Sequence, residues 1–163
     1  NTNILYGING LKLLKTGLSP RAALETMLKE DPERESRQII IIDKDGRTAA
    51  FTGKETIDWK GHLVGEDYVV AGNMLVGSQV IEAMAQTFEG SEGELAERLM
   101  KALEAGQEAG GDKRGRMSAA LLIASQQRIE TRLLLDLRVN KHPDPVGELR
   151  RIFEKKADVM KRK

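Results

Sequence analysis

The sequence predicts an α+β fold that combines antiparallel sheet with layers of helices. Apolar residues recur at helical spacing in about five segments, and about five others have the length and apolar pattern of strands. Turn signals join the strands into hairpins, so strands and helices do not alternate strictly. This clustering favours α+β over a parallel α/β sheet.

Two helices are expected at the start of the chain. Gly17 ends the first helix, and Ser19 caps a second one that has Pro20 at its first position. The pair Asp31-Pro32 ends the second helix. The residues that give the first helix its apolar spacing are Ile4, Leu5, Ile8 and Leu11.

A hairpin and a further strand come next. Residues 38–43 contain four consecutive isoleucines, which is typical of a strand covered on both faces. Asp45-Gly46 is a tight-turn signal, and residues 48–52 form the returning strand. Residues 68–71 are predicted to form a third strand, which ends at Gly72-Asn73.

The second half of the chain repeats this mixture of helices and strands. Ser78 caps a helix that extends to Phe88, and a further helix begins near Leu95 and ends near Gly106. Residues 117–125 and 131–139 are predicted strands. We expect one domain over residues 1–163, closed by a C-terminal helix and basic tail at about residues 146–163.

Composition excludes several classes of protein. The 26 basic and 25 acidic residues give a net charge of +1, which argues against nucleic-acid binding. The absence of cysteine excludes a disulfide framework and thiol catalysis. No apolar run approaches the length of a membrane span, and no signal peptide is visible. We therefore expect a cytoplasmic protein without nucleic-acid or membrane partners.

The most informative stretch is a charged, glycine-rich loop before the fourth strand. If residues 112–118 are extended, Asp112, Arg114, Arg116 and Ser118 share one face. Arginine pairs bidentately with carboxylates, so this row suits a small-molecule substrate or ligand that bears a carboxylate or an amide. The alternative is an ion-paired edge strand whose charges only keep the edge soluble.

Catalytic candidates lie in the middle of the chain. Gly72 and Asn73 follow a strand, where a side-chain amide and a backbone N–H can form an oxyanion hole. The segment Phe51-Thr52-Gly53 is a weaker signal of the same kind. His62 can act as a general base. The structural alternatives are an ordinary strand-end turn and a loop histidine that binds backbone.

The sequence predicts neither a metal nor a cofactor. His62 and His142 are far apart, and no pair of His, Asp or Glu residues has metal-ligand spacing. The glycines match neither the dinucleotide-binding fingerprint nor a phosphate-binding P-loop.

Six separated motifs also carry a resemblance to a known family. In chain order they are Gly17-Leu18-Ser19-Pro20, Ala50-Phe51-Thr52-Gly53, Trp59-Lys60-Gly61-His62-Leu63-Val64-Gly65, Ala71-Gly72-Asn73-Met74-Leu75, the stretch from Ala109 to Leu122, and Asp136-Leu137-Arg138-Val139 with His142-Pro143-Asp144-Pro145. Over essentially its whole length, the chain resembles domain-of-unknown-function family 1028. That family is grouped by fold with the N-terminal-nucleophile (Ntn) hydrolases.

The resemblance implies a four-layer αββα sandwich, with helices outside two antiparallel sheets. It also implies that the N-terminal strands of the domain are missing from this chain. In Ntn hydrolases the nucleophile is the first residue, and its own α-amine serves as the base. Asn1 has no nucleophilic side chain and Thr2 is not terminal, so the nucleophile cannot be assigned.

The function that these observations favour is hydrolysis of an amide bond by acyl transfer. The alternative is a non-catalytic ligand-binding or scaffold protein with the same fold. A homodimer, or a bound N-terminal fragment, is expected to cover the apolar face that the isoleucine strand would otherwise expose.

Overall fold

The computed structural model describes residues 3–127 and 130–161. Within these residues the chain is a mixed α+β protein whose strands form small antiparallel sheets, as predicted. The elements are α1 (Leu5–Lys15), α2 (Pro20–Glu30), a 3-10 turn (Arg34–Ser36), β1 (Gln38–Ile42), β2 (Thr48–Thr52), β3 (Gly61–Gly65), β4 (Tyr68–Gly72), α3 (Gln79–Gly90), α4 (Leu95–Glu108), β5 (Ala119–Gln127), β6 (Glu130–Val139) and α5 (Pro145–Lys161).

The first two helices begin and end where the sequence indicates. Gly17 follows α1 with φ at 92°, a conformation that glycine adopts without strain. The Ser19 hydroxyl accepts a 3.3 Å hydrogen bond from the backbone N–H of Ala22, which caps α2. Asp31, the residue before Pro32, is already extended and ends α2.

The predicted hairpin of β1 and β2 is confirmed. The strands pair antiparallel from Gln38 opposite Thr52 to Ile42 opposite Thr48. The Asp43 carboxylate closes the turn by accepting hydrogen bonds from the backbone N–H groups of Asp45 and Arg47, each at 3.0 Å. This local cap, together with a positive φ at Gly46, fixes the register of the hairpin.

The second hairpin contains a strand that the sequence analysis left out. Segment Gly61–Gly65 forms β3 and pairs with β4, from Gly61 opposite Gly72 to Gly65 opposite Tyr68. Only three of its five residues carry side chains, so the segment has too little strand propensity to be recognised alone. Pairing with β4 stabilises this strand. A two-residue turn joins the two strands, and Asp67 in that turn has a φ of 60°.

The third hairpin joins β5 and β6, with an irregularity between Ile123 and Ala124. Strand β5 begins at Ala119, two residues later than predicted. The core here lies between this hairpin, α4 and α5. Its fully buried centres are Met100 and Leu149.

The packing of elements follows a simple order. Helix α2 contacts β1 and β2, and α3 contacts β3 and β4. The first two hairpins contact each other through β2 with β3 and through β1 with β4. Helix α4 lies against α3 and α5, and α5 packs on the third hairpin.

The isoleucine strand is covered on one face and open on the other, which corrects the prediction of cover on both faces. Ile41 lies on the side of the helices. A Cβ atom added at Gly10 of α1 would stand 3.8 Å from the Cδ1 atom of Ile41. Ile40 and Ile42, on the opposite face, keep 50% and 49% of their surface exposed. The alternation of β1 explains the difference, because only every second side chain can reach α1 and α2.

None of the helices within the described residues has the length and apolar character that crossing a membrane requires.

Candidate functional site

A cavity of about 560 Å³ opens where β1 begins and β4 ends. Its walls come from the start of α1, the 3-10 turn, β1, the loop after β2 and the end of β4. The polar residues that line it include Asn3, Tyr6, Arg37, Gln38, Glu55 and Asn73.

Gln38 connects the elements around this cavity. Its Nε2 atom donates to the backbone carbonyl oxygens of Gly61 at 3.0 Å and Gly72 at 2.9 Å, and lies 3.1 Å from Thr52 Oγ1. Its Oε1 atom accepts a 2.8 Å hydrogen bond from Asn73 Nδ2. One side chain therefore joins the first two hairpins and fixes the orientation of the Asn73 amide.

The end of β4 presents Asn73 to the cavity through a tight change of direction. Met74, the next residue, has a φ of 57°, which is uncommon for a side chain of its size. Its N–H donates to the Ile57 carbonyl at 3.0 Å, and its carbonyl accepts from Lys113 N–H at 2.8 Å. These two hydrogen bonds hold the strained backbone of Met74 in place. Strained backbone of this kind occurs most often at functional sites.

Gly72 permits this turn because a side chain would not fit. A Cβ atom there would stand 2.6 Å from Leu75 Cδ1. The glycine therefore lets the chain fold back against itself immediately beside Asn73.

His62 lies on β3 and has a specific partner. Its Nδ1 atom is 2.8 Å from Thr52 Oγ1, at the end of β2. Both side chains are half-buried. Because Gln38 also contacts Thr52, the imidazole joins the same hydrogen-bond network as Asn73.

A buried ionic cluster supports another part of the cavity wall. The Arg37 guanidinium, 8% exposed, donates to Asp31 at 2.9 Å and to Glu33 at 2.6 Å. The Tyr6 hydroxyl donates to Asp31 at 3.0 Å. Hydrogen bonding from Arg37 lowers the pKa of Asp31, whereas burial, reinforced by the Asp31 carboxylate, raises the pKa of Tyr6 to about 12.

The charged loop reaches the end of β4, but its backbone is not extended. Asp112 forms an isolated bridge with Leu75, so the loop runs beside the residues that follow Asn73. The Asp112 carboxylate then accepts the backbone N–H of Arg114 at 2.8 Å and its guanidinium at 2.5 Å. This local cap, followed by a φ of 100° at Gly115, turns the chain and breaks the expected alternation.

The four charged and polar residues of that loop therefore have different surroundings. Asp112 and Arg114 pair with each other next to the end of β4, and hydrogen bonding from Arg114 lowers the pKa of Asp112. Arg116 turns away and pairs with Asp144 at 3.1 Å. Ser118 is exposed just before β5. Asp112 and its partner Arg114 therefore lie beside the residues that follow Asn73, whereas Arg116 pairs with a different part of the chain.

Sequence reasoning missed two residues of this site, Gln38 and Arg37, and named Thr52 only as part of a weaker oxyanion signal. Gln38 and Arg37 lie at the start of β1 and just before it, where they resemble an ordinary strand boundary. One signal was available, because Gln38 is the polar residue that opens a run of four isoleucines. Their roles depend on contacts between hairpins, which no local pattern encodes.

No group of three or more His, Asp or Glu side chains able to hold a metal ion occurs within the described ranges. The cavity instead offers an oriented amide and a buried cation compensated by carboxylates, and Gln38 links it to the hydroxyl–imidazole pair of Thr52 and His62. These groups suit polar recognition and proton transfer.

Comparisons with known proteins agree with the fold. The model of a "Family of unknown function (DUF1028)" matches residues 1–149. The chain is similar to the crystal structure of protein SPO2555 from Silicibacter pomeroyi, which is assigned to the same family model. The two share 32% sequence identity and superpose with a TM-score of 0.83, over 94% of this chain and 67% of that one. A search of curated proteins gave no match.

Proposed function

Because the chain belongs to DUF1028, a family of unknown function, we propose its activity from the geometry of the site. The proposal is an Ntn-hydrolase-like protein that hydrolyses a small amide or lactam by acyl transfer. The cavity between β1 and β4 holds the substrate, and Asn73 is its central polar group.

Two observations support the fold on which this proposal rests. The motifs of the sequence resemble a family grouped with the Ntn hydrolases. Helix α2 contacts the first hairpin, the first hairpin contacts the second, and the second contacts α3, which is compatible with part of a four-layer αββα sandwich. A single domain over residues 1–163 is part of the same proposal.

The orientation of Asn73 is the observation that carries the proposed chemistry. Its Nδ2 atom has two hydrogens, and Gln38 accepts one of them at 2.8 Å. The other hydrogen is available to a substrate oxygen in the cavity, together with a backbone N–H at the strand end near Gly72. Donors held in place before the reaction stabilise a developing oxyanion without reorganisation.

The remaining predicted site residues fill supporting roles in this proposal. His62 accepts a proton from the attacking group. Asp112 and Arg114, beside the end of β4, bind the charged part of the substrate. Arg116, which pairs with Asp144, and Ser118, which is exposed just before β5, are the exceptions and have no assigned role in this proposal.

The proposal is tested by kinetics on a panel of small amides and lactams. Asn73→Ala is expected to lower kcat about 100-fold or more, the effect of losing an oxyanion donor. Asn140→Ala removes an exposed amide after β6 and is the matched control, which should keep wild-type kcat. Arg114→Ala should mainly raise KM, because its contacts form before the transition state.

The same experiment separates a catalytic protein from a binding protein. If no member of the panel is turned over, but a small carboxylate binds and this binding is lost in Arg114→Ala, the chain is a ligand-binding protein with the same fold. Equal kcat values for Asn73→Ala and Asn140→Ala would contradict the role of Asn73.

A further inference from the structure

We propose that the Thr52 hydroxyl is an internal nucleophile, activated by His62. This inference rests on the proposed acyl-transfer function and names the group that attacks. It differs from attack by a terminal residue, because Thr52 lies at the end of β2 and its base is a separate side chain.

The Thr52 proton is not bound by Gln38. Gln38 Nε2 faces the carbonyl oxygens of Gly61 and Gly72, which can only accept, so that atom is the amide nitrogen and a donor. The same nitrogen lies 3.1 Å from Thr52 Oγ1. The two hydrogens of this nitrogen serve the two carbonyl oxygens, and an amide nitrogen cannot accept, so Gln38 does not take the Thr52 hydrogen, which is left for another partner.

The proposal assigns this hydrogen to His62. Its Nδ1 atom is 2.8 Å from Thr52 Oγ1, a normal distance for a hydroxyl that donates to an imidazole nitrogen. In the neutral ring, Nδ1 is then the acceptor and Nε2 carries the proton. A hydroxyl whose proton already points at a base has the geometry of an activated nucleophile.

The same network places this pair next to the proposed oxyanion site. Gln38 contacts Thr52 through Nε2 and Asn73 through Oε1, so one amide group separates the hydroxyl from the Asn73 donor. The nucleophile, its base and the oxyanion donor thus share one positioning residue. Gly53 permits the tight backbone at this point, since a Cβ atom there would stand 2.2 Å from the Glu35 carbonyl oxygen.

The acylation step balances with these groups alone. Thr52 Oγ forms a bond to the carbonyl carbon of the substrate, and its proton moves to His62 Nδ1. The carbon–nitrogen bond then breaks, and the amine leaves with the proton from His62. Water hydrolyses the resulting ester on Thr52 by the same route, releasing the acid and restoring both side chains.

Labelling with an activated ester tests this assignment without a known substrate. The chain is incubated with p-nitrophenyl acetate, and peptide mass spectrometry locates and times the acetyl group. We expect acetylation of Thr52 in the wild type, none at position 52 in Thr52→Val, and labelling within about tenfold of wild type in Thr52→Ser. His62→Gln should slow labelling about 100-fold, the low end of a general-base contribution.

The control and a second measurement keep the test independent of folding. Thr48→Val alters the other end of β2 and should label as the wild type does. Nitrogen NMR of the His62 ring should show Nδ1 unprotonated and Nε2 protonated in the neutral form. Labelling only at other residues, or a neutral ring protonated on Nδ1, would overturn the assignment.

Amide turnover distinguishes this inference from the proposed function. Acetylated Thr52 in a protein that hydrolyses no amide would support the nucleophile and contradict the amide hydrolase. Amide turnover that survives unchanged in Thr52→Val would contradict the nucleophile and leave the amide hydrolase in place.

Discussion

The side chain of Asn73 donates a 2.8 Å hydrogen bond to Gln38, which lies 35 positions earlier in the sequence. This bond joins the end of β4 to the start of β1 at the wall of the cavity. The same contact therefore holds two hairpins together and sets the orientation of the Asn73 amide, which we propose stabilises the oxyanion.

Replacing Gln38 should therefore destabilise the fold as well as disturb the site. Gln38→Leu leaves the Gly61 and Gly72 carbonyl oxygens and Asn73 Nδ2 without their partner. We expect a loss of about 2–3 kcal/mol in the free energy of unfolding, the cost of stranding buried polar groups. Urea denaturation measures it, with Gln86→Leu on the exposed face of α3 as the control expected to change little.

The two tyrosines should both resist ionisation. Burial and the Asp31 carboxylate raise the pKa of Tyr6 to about 12, and hydrogen bonding to Glu89 raises that of Tyr68 to about 12. An unfolded tyrosine titrates near pH 10. Between about pH 10 and 12 the folded state thus holds more protons, so stability should fall as the pH rises through this window.

Ultraviolet absorbance titration of the folded protein checks this directly. Glu89→Gln should lower the pKa of Tyr68 alone, and Asp31→Asn that of Tyr6 alone, so each variant is the control for the other. Phenolate absorbance that appears with a midpoint near pH 10 in the folded wild type would contradict both environments.

Arg150 should stabilise the contact between α4 and α5. Its guanidinium binds Glu104 through two 2.7 Å hydrogen bonds and Glu97 at 2.8 Å, and only 19% of the side chain is exposed. We expect Arg150→Met to cost about 2 kcal/mol, as for hydrogen bonds to charged partners. Arg151→Met, which breaks an exposed pair with Glu148, should change the free energy of unfolding by less than about 0.5 kcal/mol. Equal losses in the two variants would contradict this ranking.

The open apolar surface should drive self-association. Ile40 and Ile42, on the open face of β1, are 50% and 49% exposed. We expect a homodimer that covers this face, because exposed apolar patches mark interaction sites. The double variant Ile40→Glu/Ile42→Glu should weaken dimerisation at least tenfold in sedimentation equilibrium. A wild type that stays monomeric at high concentration would contradict the expectation.

Local signals in the sequence were sufficient for most of the elements. The cap at Ser19, the turn at Asp45-Gly46 and the helix starts near Ser78 and Leu95 depend on neighbouring residues, and the structure places them as expected. Strand β3 could not be recognised, because its stability comes from its partner across the turn. The extended backbone considered for residues 112–118 is wrong, because alternation alone cannot reveal that Asp112 caps its own turn.

The site was harder to predict than the fold. Asn73 and His62 could be proposed because each stands in a distinctive local motif. Gln38 could not, and Thr52 was named only in a weaker signal, since the contacts that Gln38 makes with Asn73 and Thr52 makes with His62 cross between hairpins. The polar network becomes visible only when the two hairpins are packed together.

The most direct test of an acyl-transfer site around Asn73 is the rate at which a β-lactone probe forms a covalent adduct, followed by intact-mass spectrometry. Attack on the lactone passes through the same oxyanion as attack on an amide. We expect one adduct per chain in the wild type, adduct formation about 100-fold slower in Asn73→Ala, and an unchanged rate in Asn140→Ala. Equal rates in all three proteins, or no adduct in the wild type, would contradict it.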